Sequence, residues 1–237
     1  MPAIAFDIDD TLYDLAWPFW RACDSFFGGD LGLPRDELFR LLRLHSDEAY
    51  ELVLAGEKPT EYMHVYRVQK AFGDFGVEVS REDALAFQRE YERFQGQISM
   101  TDDVRSMLAA CARSSWRTGV ITNGDSEHQW NKVDTLGVCT YVPCEHIVVS
   151  GDIGFRKPQV GAFRAAEERF GVPPEEAWFV GDTYETDVMG ALGAGWRCLW
   201  IDRRGRGLAE GERMPDAVVC TEGEMVDFVR EMVLHGA

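Results

Sequence analysis

Three short apolar runs each stop at polar residues: Ala3-Ile4-Ala5-Phe6 at Asp7, Gly119-Val120-Ile121 at Thr122-Asn123-Gly124, and Ala177-Trp178-Phe179-Val180 at Gly181-Asp182. Unbroken apolar runs of this length, bounded by turn residues, predict buried parallel strands rather than half-exposed ones. Runs at 146–149, 198–201 and Ala217–Val219 extend the set. Helical patterns lie between them. Thr101 is placed to cap a helix with Asp102 and Asp103 in its first turn, running to about Arg113. Ser126 is expected to cap a second helix that ends before Gly137. Pro158 is expected at the first position of a third, which ends before Gly171. A fourth covers about 184–194 and closes at Gly195. This alternation predicts an α/β fold with a parallel sheet covered on both faces. Its functional crevice should lie beyond the carboxyl ends of the strands, where the three polar strand ends converge.

Residues 16–97 break the alternation. Apolar and aromatic residues recur there at helical spacing, with turns at Gly28-Gly29, Gly56-Glu57-Lys58-Pro59 and Gly73-Asp74. Four helices and no strand are expected. A block of this kind between the first strand and the second predicts an inserted helical domain over the crevice. The expected division is a core of 1–15 with 98–237 and an insert of 16–97.

The chain has 237 residues, 46% of them apolar, enough for one large domain or a domain with an insert. Its formal net charge of −17 disfavours nucleic acid and anionic membranes as partners. A small anionic ligand then requires local positive charge from lysine, arginine or a metal. No stretch reads as a signal peptide or membrane span, so a cytoplasmic protein is expected. The six cysteines (Cys23, Cys111, Cys139, Cys144, Cys198, Cys220) form no Cys-x-x-Cys pair and are read as reduced thiols.

Four stations carry candidate chemistry. Asp7 and Asp9, two residues apart at a strand end, can face one reacting group, one carboxylate attacking phosphorus and the other moving protons. Thr122-Asn123-Gly124 offers a hydroxyl and backbone N–H groups before a helix, a cradle for phosphate. Lys157, directly before Pro158, can offset the carboxylates and a transferring phosphoryl group. Asp182 and Asp187, with Asp7, can supply oxygen ligands to Mg2+. Taken singly, each also reads as an ordinary feature: a solvated strand end, a strand-to-helix turn, a surface lysine, a helix N-cap. Their occurrence together, in order and at strand ends, does not.

The set resembles the haloacid dehalogenase superfamily, whose motifs are Asp-x-Asp, Ser/Thr, Lys and Gly-Asp-x(3 or 4)-Asp. The resemblance spans the chain from Asp7 to Asp187. It implies a Rossmann-like core with a helical type 1 cap. By motif match it makes Asp7 the nucleophile, Asp9 the acid/base, Thr122 a phosphoryl hydrogen-bond donor and Lys157 the charge stabiliser. Mg2+ would be held by Asp7, the Asp9 backbone carbonyl, Asp182 and Asp187. Asp10 stands where the family pattern often has glycine, so the loop there lacks glycine's freedom at positive φ. The family's dehalogenases lack the second acid of the first motif, so Asp9 favours a phosphatase acting on a small phosphorylated metabolite. The alternatives are a phosphosugar mutase and a catalytically silent binding protein on the same fold.

Specificity is expected to come from the insert. Trp17, Phe19 and Trp20 either stack on a substrate ring, for which Trp17 and Trp20 are the candidates, or pack the interior. Tyr50, Tyr62 and Tyr66 carry the same two readings. Arg21, Arg67 and Lys70 read as solvated helix faces, and Arg203, Arg204 and Arg206 as a solvated loop.

Overall fold

The structure, a computed structural model, describes residues 1–29 and 31–235. Residues 30, 236 and 237, which fall within the expected insert and core ranges, lie outside the described residues. The chain divides into two compact units, 1–14 with 99–237 and 15–98.

The first unit holds a six-stranded, all-parallel sheet: β1 (Ala3–Phe6), β2 (Arg117–Thr122), β3 (Ile147–Val149), β4 (Ala177–Gly181), β5 (Arg197–Ile201) and β6 (Ala217–Val219), in the order β3-β2-β1-β4-β5-β6. Every apolar run read as a strand forms one. The first strand lies inside the sheet between β2 and β4. The order reverses there, which is where open α/β sheets carry their sites. Phe6 pairs with Val120 and Val180, so Asp7 emerges level with Gly181.

Successive residues of β1 face opposite sides. Ala3 and Ala5 join a core with Ile121, Val148, Phe163, Phe170, Phe179 and Trp200. On the other side Trp178 packs its ring 5.7 Å from Phe228. Close packing leaves no room for a side chain at 119, where a Cβ would lie 2.0 Å from Phe170 Cζ.

The second unit, within 15–98, contains α1 (Ala16–Phe27), α2 (Arg35–Leu54), α3 (Thr60–Gly73) and α4 (Arg81–Gln95), and no strand among the described residues. Phe19 is fully buried and meets Trp20, Phe39, Phe87 and Tyr91 at ring separations of 4.9 to 6.1 Å. Aromatic packing thus joins α1, α2 and α4 around one centre, and Phe72 of α3 reaches it through Phe87 at 5.9 Å.

The remaining helices are α5 (Asp102–Arg113), α6 (Ser126–Leu136), α7 (Ser150–Ile153), α8 (Val160–Phe170), α9 (Met189–Ala194) and α10 (Glu222–His235). Thr101 caps α5 as expected, its hydroxyl accepting from Val104 N at 3.2 Å. Two helix starts differ from the sequence reading. Asp125, not Ser126, caps α6, because its carboxylate accepts from His128 N. Pro158 does not open α8. The Lys157–Pro158 peptide is cis, a turn closes from Gln159 N to Arg156 O at 2.7 Å, and the helix begins at Val160. The expected helix at 184–194 is present, but its first turn, Tyr184–Val188, is a wider π-helical turn before α9.

Cys139 and Cys144 are joined by a disulfide, contrary to the reading of six reduced thiols; the 3-10 turns Val138–Thr140 and Cys144–His146 bring their Cα atoms to 5.5 Å. Cys23, Cys111 and Cys198 are buried free thiols, and burial pushes the first two up to about 12. Among the described residues no helix is long and apolar enough to cross a membrane.

Candidate active site

Beyond the carboxyl ends of β1 and β4 the first and fourth stations meet. Asp7 follows the last residue of β1, its N–H donating to Val180 O at 2.8 Å. Asp182 follows β4, and Asp187 reaches back from the π-helical turn. Oxygens of Asp7, Asp182 and Asp187 lie within 4.8 Å of one another. Gly181 makes this approach feasible, because a Cβ there would lie 2.4 Å from Asp187 Oδ2. Asp187 is almost fully buried and accepts the Thr183 N–H at 3.0 Å.

Lys157 is 2% exposed, and its Nζ bonds Asp7 Oδ1 at 2.7 Å and Asp187 Oδ1 at 2.8 Å. Burial works against its ammonium, but Asp187 and Asp7 outweigh it and hold the lysine charged, well above the ordinary range. Three carboxylates still exceed one ammonium. Burial therefore pushes Asp7 up to about 7, with Lys157 opposing and Asp187 and Asp9 adding to the rise. Burial, then Asp187, Asp10 and Asp7, raises Asp182 well above the usual carboxylate range. An all-oxygen set with uncancelled negative charge fits a hard divalent cation. The carboxylate of Asp9 lies outside this group of three.

The second and third stations are tied to each other. The Asn123 amide clamps the Lys157 backbone, Nδ2 donating to Lys157 O at 2.9 Å and Oδ1 accepting Lys157 N at 2.8 Å. The Asn123 side chain thus places the lysine, whereas the phosphate contact expected at this station was through backbone N–H groups. Gly124, expected to offer a free N–H, departs from that role. Its N–H donates to Ser150 Oγ at 2.9 Å and is not free for a phosphate. Thr122 is buried, its hydroxyl 3.3 Å from Gln129 Oε1.

Sequence reasoning passed over two residues of this region and misread two more. Lys132, buried on α6, places its Nζ 2.7 Å from both oxygens of Asp9. Tyr13 donates its hydroxyl to Asp9 Oδ1 at 2.5 Å. The available signal was the buried stripe Gln129, Lys132, Val133 and Leu136, an i, i+3, i+4, i+7 face bearing a lysine. Arg203 and Arg204, read as solvated, instead grip the first station. Arg204 bonds both carboxylate oxygens of Asp10 at 2.7 and 2.6 Å, and Arg203 Nε donates to Asp10 O at 3.1 Å. Asp10 is buried at φ 54, so the loop takes a left-handed residue without glycine. Arg206 is exposed, as read, and pairs at the surface with Glu185 and Glu212.

Within the helical unit, Trp20 packs on Phe19 and Phe39, whereas Trp17 packs on Phe94 and stays 39% exposed. Arg67, expected on a solvated face, is buried and donates to Ser46 Oγ and Gln88 Oε1 at 3.2 and 2.7 Å. Tyr62 and Tyr66 stack on each other, 5.6 Å apart.

Comparison with known proteins agrees with this architecture. Residues 1–195 match the family model described as haloacid dehalogenase-like hydrolase. The glyceraldehyde 3-phosphate phosphatase of Methanothermobacter thermautotrophicus is 30% identical over 90% of this chain and 89% of its own. The N-acylneuraminate-9-phosphatase of Mus musculus is 33% identical over 94% of this chain and 91% of its own. A HAD-hydrolase from Bacillus subtilis, solved bound to magnesium, superposes with a TM-score of 0.71 at 20% identity, covering 96% and 98% of the two chains, a likeness of fold. The chain belongs to the haloacid dehalogenase-like hydrolase family.

Proposed function

We propose that the protein hydrolyses the phosphate monoester of a small polar metabolite, with Asp7 as nucleophile, an aspartyl phosphate as intermediate and Mg2+ as cofactor. The buried set of Asp7, Lys157, Asp182 and Asp187 at the ends of β1 and β4 carries this reading. It joins a carboxylate nucleophile, a fixed cation and an oxygen-rich cation site in one place.

In the first step a carboxylate oxygen of Asp7 bonds to phosphorus as the bond to the ester oxygen breaks. Asp9 gives that departing oxygen its proton. In the second step water, losing its proton to Asp9, attacks phosphorus; the bond to Asp7 breaks and inorganic phosphate is released. Thr122 turns its hydroxyl from Gln129 to a phosphoryl oxygen, and Lys157 balances the charge that builds on the phosphoryl group. Asp7, Asp182 and Asp187, with the Asp9 carbonyl, would hold Mg2+, whose bound charge neutralises phosphoryl oxygens. The helical unit is assigned the choice of substrate.

The phosphatase names of the two relatives support the reaction class. Both named substrates are phosphate esters of a primary alcohol, whose alkoxide leaves poorly without a proton. Asp9 is the residue suited to supply it. A dehalogenase has no such oxygen to protonate.

Activity is to be measured with p-nitrophenyl phosphate and with a panel of phosphorylated sugars and nucleoside monophosphates. Asp7→Asn, or chelation of Mg2+ by EDTA, is expected to reduce turnover to background. Full activity in either case refutes the mechanism. Isomerisation of a bisphosphorylated sugar, with no hydrolysis of any monoester, would make the protein a mutase.

A further inference from the structure

Helix α6 turns a lysine inward that the chemistry above leaves without a task. Lys132 is 6% exposed, and a buried ammonium is costly unless paired. Its Nζ meets both oxygens of one carboxylate, Asp9, at 2.7 Å each, across 123 residues of sequence. Tyr13 adds a second donor to Asp9 Oδ1 at 2.5 Å. Donors from two separate segments leave the carboxyl group little freedom to rotate. The two acids of the first station therefore have separate lysines, Lys157 for Asp7 and Lys132 for Asp9. One turn earlier on α6, Gln129 bonds the Thr122 hydroxyl and donates to Asn123 O, so one helix face orders both stations.

We propose that Lys132 is a positioning residue: it fixes the carboxyl group of Asp9 for protonation of the departing oxygen. The inference rests on the acid/base reading of Asp9 given above. A lysine serving only to fill space would be replaced with little loss by methionine, which has similar length and no charge to bury. One serving Asp9 would not, and the loss would depend on how much the leaving group needs a proton.

The test compares kcat/KM for p-nitrophenyl phosphate, whose leaving group departs readily, with that for phenyl phosphate, whose leaving group is poorer. Lys132→Met, Lys132→Arg, Tyr13→Phe and Asp9→Asn are measured together with Mg2+ present, each checked for folding by circular dichroism. Lys132→Met is expected to lose about tenfold more kcat/KM on phenyl phosphate than on p-nitrophenyl phosphate, a fraction of a full general-acid contribution. The loss should fall in kcat rather than KM. Lys132→Arg should restore part of the difference, and Tyr13→Phe should show a smaller loss of the same pattern. Equal losses on the two substrates for Lys132→Met and Tyr13→Phe would reduce the lysine to a structural role and overturn the inference. Should Lys132→Met not fold, the Arg and Phe variants decide by the same ratio. Asp9→Asn separates the two levels. If it shows the leaving-group dependence and the Lys132 and Tyr13 variants do not, only the positioning role fails. If Asp9→Asn shows none, the acid/base reading fails and the inference with it.

Discussion

Asp10 stands at φ 54, a conformation that costs most residues about 1–2 kcal/mol and aspartate less. Arg204 grips both oxygens of its carboxylate, and Arg203 holds its carbonyl. The position thus has two demands, a left-handed backbone and a partner for two arginines. Asp10→Gly loses only the second; Asp10→Ala loses both. Urea unfolding should find Asp10→Ala less stable than Asp10→Gly by about 1 kcal/mol. Equal stabilities would show that the backbone conformation is not what the site selects. The four stations were legible because each has its own local pattern, three at strand ends and Lys157 in the loop between α7 and α8. The arginines were not: 193 residues separate Arg203 from Asp10, and nothing local to either predicts the pairing. Lys132 was partly legible, since a lysine on a helix's apolar stripe has to find a charge.

At the scale of elements, α2 and α3 are joined through His45, whose Nδ1 and Nε2 each lie 2.8 Å from a carboxylate, Glu48 and Asp74. Tyr66 also reaches Glu48, at 3.2 Å. Burial works against the imidazolium, but the bonds to Asp74 and Glu48 outweigh it and raise His45 above its ordinary 6.5. A raised folded value means that the native state binds the proton more tightly than the unfolded chain. The stabilisation is complete below about 6.5 and is lost as pH rises through the raised value. Thermal melting from pH 6 to 8.5 should therefore show a fall in Tm that His45→Gln flattens. An unchanged slope in that variant would exclude the histidine as its source. Periodicity sufficed to predict that four helices fill the insert. It misjudged Arg67, because a charged residue on a helix reads as solvent-facing until Ser46, Gln88 and Tyr91 close around it.

For the whole molecule, the balance of charge is the governing quantity. A net −17 is spread over the chain, yet three of those carboxylates are gathered around one lysine. A ligand that binds only the folded state stabilises it by mass action, about 2.7 kcal/mol at a hundredfold excess over Kd. Mg2+ should therefore raise Tm in proportion to the logarithm of its concentration, at constant ionic strength set with NaCl. Asp182→Asn should weaken that rise. A rise of equal size in that variant would mean that Mg2+ acts on the acidic surface in general.

The sequence by itself determined the class of fold, the six strands, the four helices of the insert and the order of the stations. These follow from periodicity and from which residues end each apolar run, both local properties. It also placed Asp7, Thr122 and Asp182 at strand ends, since one chain direction throughout a parallel sheet brings those ends to the same edge, and Lys157 in a loop before Pro158. Only the tertiary structure decided how the surrounding residues divide the work. Asn123 went to the Lys157 backbone, Gly124 N–H to Ser150, Asp10 to the arginines and Asp9 to Lys132 and Tyr13. Each of these is a choice among polar partners that packing brings together from distant parts of the chain. Burial then makes the choice binding, because a polar group taken out of water must bond with whatever the fold has put beside it.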